Sequence, residues 1–79
     1  MRLEELPLGE LVRRRLRVLL DGLGPHRAPD LMRRIVDEVE RVLIEEALER
    51  AGGSRKEAAA ILGIHRNSLR SKIRRLGLK

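Results

Sequence analysis

Residues 51–78 have the sequence AGGSRKEAAAILGIHRNSLRSKIRRLGL, and this stretch decides the fold. It predicts two short helices joined by a turn at residues 62–65, with the sequence LGIH. Gly63 can adopt the positive φ angle that a tight turn between two helices requires. Ala59, one helical turn earlier, is small enough to lie where the helices cross closely, and Ile64 is expected to enter the core. This order of residue types is typical of a helix-turn-helix motif.

Local signals indicate where these two helices begin and end. Ser54 followed three residues later by Glu57 is the pattern of a capping box, which satisfies two backbone donors at a helix start. In the second helix, Leu69 and Ile73 lie four residues apart and form an apolar stripe that holds the helix to the core. Gly77, followed by a leucine, predicts a left-handed C-cap with a hydrophobic contact.

Two longer helices are predicted upstream of this motif. The first spans 8–23, begins after Pro7 and ends before a loop rich in glycine and proline at 24–29. The second spans 31–51, with Asp30 as its N-cap. Its apolar face is broad and runs along the whole helix. Because the shorter first helix cannot cover that face, we expect a second chain to cover it.

The size and composition of the chain also favour a dimer. A chain of 79 residues without Cys, Phe, Tyr or Trp buries little apolar surface and has neither disulfides nor thiolate metal sites to stabilise it. The sequence therefore predicts an all-α fold of four helices, in which a dimeric helical bundle core carries a C-terminal helix-turn-helix. We expect residues 1–53 to provide the dimerisation helices and residues 54–79 the helix-turn-helix, within one cooperative domain.

Charge is distributed unevenly along the chain. Residues 52–79 carry a net charge of +7, residues 30–51 a net charge of −3 and residues 1–29 a net charge of +2. A basic third beside an acidic helix is the electrostatic pattern of a protein that binds a polyanion. Together with the helix-turn-helix, this pattern predicts double-stranded DNA as the partner.

The exposed face of the last helix supplies the candidate DNA contacts. Arginine can bond guanine edges and asparagine can bond adenine, and the first residues of a recognition helix usually meet the bases. We therefore predict base contacts from His65, Arg66, Asn67 and Arg70. Phosphate contacts are predicted from Ser54, Lys56, Ser68, Lys72 and Arg74, and Ser71 and Arg75 complete the same exposed face.

The pattern of residues 51–78 resembles the C-terminal module of the Fis family, which has the form GG-x-x-x-x-A-A-x-x-L-G-I-x-R-N-x-L. Residues 39–49 (VERVLIEEALE) also match the second helix of that family, and residues 7–23 resemble its first helix more loosely. The resemblance implies an intertwined homodimer whose two recognition helices lie closer together than one DNA turn. The duplex must then bend to meet both helices. A role in nucleoid organisation and transcription regulation is also implied.

Other functions were weighed against this interpretation. The same module ends activators of the NtrC type, so the chain could be the C-terminal DNA-binding domain of such a protein. Helix 8–23 is basic and amphipathic, as in helices that bind membrane surfaces, but it lacks aromatic anchors and its apolar face is needed for the bundle. A dimerisation adaptor without a nucleic-acid partner would leave the basic C-terminal third unused.

The sequence gives no sign of an enzyme or of a bound cofactor. His26 and His65 have neither a cysteine partner nor a second histidine at helical spacing, so no metal site is predicted. Glycine-rich phosphate loops and nucleophile elbows are missing, and no small-molecule ligand is expected. The N-terminal MRLEELPLGE lacks the apolar centre of a secretory signal, and no apolar run is long enough to span a membrane. We therefore expect a cytoplasmic, nucleoid-associated protein.

Overall fold

The computed structural model describes residue 2 and residues 7–78, and this part of the chain forms an all-α fold, as predicted. Its four helices are α1 (Leu8–Leu23), α2 (Leu31–Arg50), α3 (Arg55–Leu62) and α4 (Arg66–Leu76). The second helix ends one residue earlier than predicted, because Ala51 is its C-cap. Half of the N-terminal segment MRLEELPLGE, for which no secretory signal is predicted, and the last residue of the predicted unit 54–79 lie outside the described residues.

The start of α3 depends on Ser54. Its side-chain Oγ accepts a hydrogen bond from the backbone N–H of Glu57 at 3.2 Å, which is the first half of the predicted capping box. The second half is not formed. The backbone N–H of Ser54 instead donates to the carbonyl oxygen of Ala51 at 3.1 Å, within the turn that follows α2.

The turn between α3 and α4 has the predicted left-handed glycine. Gly63 has φ 69° and ψ 30°, and the backbone N–H of Ile64 donates to the carbonyl oxygen of Ala59 at 3.1 Å. This bond closes the α3 terminus in the manner of a Schellman motif. Gly77, with φ 72°, ends α4 in the same way. The two glycines therefore set the length of both short helices.

Substitution of Gly63 should show the cost of this backbone conformation. A Cβ atom at residue 63 would meet no other heavy atom within 4 Å, so an alanine fits sterically. Gly63→Ala should still lower the free energy of unfolding by about 1–2 kcal/mol, because a Cβ disfavours the left-handed region. Gly63→Asn should lower it less, because asparagine visits that region more readily. Urea unfolding followed by circular dichroism measures both. Equal stability of the alanine variant and the unchanged protein would contradict the prediction.

The core lies where α2, α3 and α4 meet. Its buried side chains come from all three helices and are Ile44, Ala47, Ala58, Ala59, Leu69 and Ile73. Ala58 and Leu69 are fully buried, with 0% exposure. Because three of the six buried residues are alanines, the helices can approach closely. The helix-turn-helix is thus held against the second half of α2.

By contrast, α1 has no partner among the described residues. None of its side chains is buried, and none of its Cα atoms lies within 8 Å of one in α2, α3 or α4. The radius of gyration is 14.9 Å, whereas a compact domain of this length would have about 11.6 Å. A large apolar surface is therefore left open.

Within the described residues, no helix is both long and apolar enough to cross a lipid bilayer.

Candidate nucleic-acid interface

The outward face of α4 is polar and basic. Leu69 and Ile73 are buried on one side of the helix. Asn67, Ser71 and Arg74 follow the helical spacing on the other side, and all three are exposed. Since the buried pair fixes how the helix is rotated, these polar side chains must point away from the core. The α4 surface is therefore available to a large ligand.

The N-terminus of α3 adds further polar groups. Ser54 and Lys56 are both exposed. A helix start presents backbone N–H groups without helical partners, and these groups favour anions such as phosphate. The Ser54 hydroxyl accepts the capping bond with its oxygen, so its own hydrogen remains available for donation.

His65 has a role that the sequence reasoning missed. It is the N-cap of α4, and its Nδ1 atom accepts a hydrogen bond from the backbone N–H of Asn67 at 3.0 Å. An accepting Nδ1 carries no hydrogen, so the neutral ring carries its hydrogen on Nε2. The exposed imidazole is thereby oriented with one donor at the start of α4. Histidine is not a preferred N-cap residue, which is why the sequence alone did not indicate this bond.

Two of the predicted contact residues are paired within the chain instead. Lys72 Nζ lies 2.9 Å from Glu40 Oε1. Arg75 Nη1 lies 2.5 Å from Asp37 Oδ1, and its Nη2 lies 2.7 Å from Glu40 Oε2. We name these four residues, Asp37, Glu40, Lys72 and Arg75, the α2–α4 ion-pair cluster. Its acidic members were not among the predicted site residues.

The ion pairs shift the pKa values of Glu40 and Arg75 so that the charged form of each is favoured. The pKa of Glu40 lies below its ordinary value, chiefly because Lys72 donates a hydrogen bond to its carboxylate, and in spite of partial burial. The pKa of Arg75 is raised, chiefly by its hydrogen bond to Asp37. Each shift favours the charged form. At neutral pH Glu40 and Arg75 are therefore charged, and the ion pairs of Glu40 weaken when the pH falls through its lowered pKa.

Most of the predicted site residues are exposed on the helix-turn-helix. Nine of them are exposed at the N-cap of α3, on α3, on α4 or in the turn between these helices, namely Ser54, Lys56, His65, Arg66, Asn67, Ser68, Arg70, Ser71 and Arg74. Lys72 and Arg75 bond to carboxylates of α2, and their predicted contact with DNA stays a prediction. The described residues contain no group of three or more side chains suited to hold a metal ion.

Comparisons with known proteins point to one family. A family model described as "Bacterial regulatory protein, Fis family" matches residues 35–76, which include most of α2 and all of α3 and α4. A Fis-like protein of Xylella fastidiosa (strain Temecula1) is 40% identical over 72 residues, which cover 91% of this chain and 80% of that protein. The protein named DNA-binding protein Fis from Aeromonas hydrophila is 32% identical and covers 91% of this chain and 74% of its own length.

Proposed function

The chain belongs to the Fis family of bacterial regulatory proteins, and we propose that it binds duplex DNA as a homodimer through two helix-turn-helix motifs. The observation that carries this proposal is the exposed basic face of α4. Leu69 and Ile73 are buried on the opposite side of the helix and fix which side chains face outward. A rigid helix with arginines at its start has the form that enters the major groove.

On this surface we assign two kinds of contact. His65, Arg66, Asn67 and Arg70 lie at the start of α4 and would contact base edges, where arginine can bond guanine with two parallel hydrogen bonds. Phosphate contacts would come from Ser54, Lys56, Ser68 and Arg74. With few base contacts and many phosphate contacts, binding would depend more on the shape of the duplex than on its sequence.

The open apolar surface of α1 and α2 supports the homodimer. Its members are all exposed in the single chain and are Leu8, Leu11, Val12, Leu19 and Leu20 on α1 and Met32, Val36, Val39, Val42 and Leu43 on α2. Exposed apolar faces of this extent on two helices mark an interaction site in a monomeric chain. A second copy of the chain supplies a matching apolar surface, and the α1 helices would gain the partner that they otherwise lack.

We further propose that the dimer bends its DNA. In this family the two recognition helices lie closer together than one helical turn of the duplex. Smooth bending of a site of this kind costs about 1–6 kcal/mol, which additional phosphate contacts can offset. A protein of this type would act in nucleoid organisation and in transcription regulation, without catalysis. Its place in the cell would then be on the chromosome.

The alternative, a C-terminal domain of an NtrC-type activator, is not favoured. The relatives described above are aligned with this chain over 72 residues, and their names place them with Fis. That length includes more than the helix-turn-helix, which both groups of proteins share. The Fis assignment therefore accounts for more of the chain.

The homodimer can be tested with two neighbouring residues of α1. Leu19 lies at the centre of the apolar stripe of the helix and is 42% exposed, whereas Val18 lies at the edge of the stripe and is 71% exposed. Sedimentation equilibrium should give the unchanged protein twice the chain mass of 9.0 kDa. Leu19→Glu should reduce it to the mass of one chain, because a buried carboxylate without a partner is costly.

Val18→Glu serves as the matched control, since it adds the same charge one position away. It should leave the mass at two chains. Equal dissociation by both variants would show that added charge alone separates the chains. A single-chain mass for the unchanged protein would contradict the proposed homodimer.

A further inference from the structure

Carboxylates of α2 form ion pairs with cationic side chains at one edge of α4. Among the described residues, the α2–α4 ion-pair cluster is where charged side chains of different helices meet. The other ion pairs join residues three or four positions apart within one helix. Opposite charges thus pair across the interface between α2 and α4, beside the buried core.

Two carboxylates already bind the guanidinium of Arg75, which reduces its capacity to bind another anion. Both terminal nitrogens of its guanidinium are engaged, one with Asp37 at 2.5 Å and the other with Glu40 at 2.7 Å. An arginine binds phosphate with this same pair of nitrogens. Two carboxylates therefore stand where phosphate oxygens would bind.

Lys72 is held in a similar way. Its ammonium bonds the second oxygen of Glu40 at 2.9 Å, and its side chain is only 35% exposed. Glu40 is the shared member, with 28% of its side chain exposed, and it bridges both cations. The Lys72–Glu40 pair is partly buried, and salt screens such a pair less than an exposed one.

We propose that Asp37 and Glu40 act as internal phosphate mimics that withhold Lys72 and Arg75 from the DNA backbone and so limit sequence-independent affinity. This inference rests on the proposed DNA binding. Each cation that neutralises a DNA phosphate adds to affinity for any duplex and steepens the salt dependence of binding. Each chain withholds two cations, and a dimer withholds four. The affinity for an arbitrary duplex and its salt dependence are then both lower than the charge of α4 alone implies.

The test is the salt dependence of binding to a duplex of arbitrary sequence, measured by fluorescence anisotropy. The double variant Asp37→Asn with Glu40→Gln should bind more tightly than the unchanged protein. The slope of log K against log salt concentration should become steeper by up to about 4 per dimer, from about 0.9 for each freed cation. Glu40→Gln alone frees Lys72 and only part of Arg75, and should give about half of that change.

The matched control is Glu38→Gln with Glu45→Gln. This pair lies on the same helix and removes the same charge, but both carboxylates bond Arg41 of α2 instead of a residue of α4. The control should leave the slope close to that of the unchanged protein. Adding Lys72→Ala and Arg75→Ala to the first double variant should reverse its steeper slope.

The outcomes separate the possible roles of the cluster. Equal steepening in the control would mean that overall charge is responsible, and it would overturn the proposal. Weaker binding or an unchanged slope after loss of Asp37 and Glu40 would mean that these carboxylates only position α4, or that DNA already displaces them. Failure of the unchanged protein to bind duplex DNA would instead remove the proposed function itself.

Discussion

Replacing Arg66 and Arg70 together with alanine is expected to remove most of the affinity for DNA while leaving the fold intact. Both side chains are exposed at the start of α4, so their loss creates no cavity. Each arginine that contacts a base is worth about 1–3 kcal/mol, or roughly 5- to 150-fold in affinity. In a homodimer each substitution occurs twice, so the combined effect should exceed that of either single change. Fluorescence anisotropy with a labelled duplex measures the loss.

The control for this experiment removes the same charge elsewhere. Arg33 and Arg34 are exposed at the start of α2, and neither belongs to the helix-turn-helix. Arg33→Ala with Arg34→Ala should therefore weaken binding far less. If both double variants lost the same affinity, the effect would come from net charge and the assignment of α4 as the contacting helix would be wrong.

Leu69→Ala is expected to destabilise the protein more than any exposed substitution. Leu69 is the one large side chain among the described residues that is fully buried, at 0% exposure. Truncation of a buried leucine costs about 2–5 kcal/mol, because apolar contacts are lost and a cavity remains. The other buried residues include three alanines, so few neighbouring side chains can fill the space. Urea unfolding followed by circular dichroism should show the loss.

An exposed apolar residue provides the comparison. Val18 is 71% exposed, and Val18→Ala should change the free energy of unfolding by less than about 0.5 kcal/mol. The Leu69→Ala variant should also bind DNA more weakly, because α4 then packs less firmly against α2 and α3. Normal stability of this variant would mean that α4 does not depend on packing against α2 and α3.

The bounds of the helices could be predicted because they are encoded locally. Gly63 requires a left-handed turn at its own position, and Ser54 caps the helix that begins directly after it. The hydrophobic stripe of Leu69 and Ile73 then fixes which side of α4 is buried. These signals act within a few residues, so no tertiary contact is needed to interpret them. The nine exposed candidate residues followed from the same reasoning.

The ion-pair cluster could not be predicted in this way. Asp37 and Arg75 are far apart in the sequence, and their meeting depends on how α2 crosses α4. A helical wheel of α4 alone places Arg75 on its polar side, without showing that α2 lies beside it. The hydrogen bond from the backbone of Asn67 to His65 was missed for a different reason, since histidine is rarely the side chain that caps a helix.

The most direct test of the account is the salt dependence of DNA binding by the unchanged protein. Lys56 and Arg74 of each chain would neutralise phosphates, and Arg66 and Arg70 would add to the count where their guanidinium groups also lie near the backbone, which gives four to eight cations in a dimer. The slope of log K against log salt concentration should then be about −4 to −7. Anisotropy titrations of one duplex at several salt concentrations give this slope. A slope near zero would contradict the claim that the basic face of α4 binds the DNA backbone.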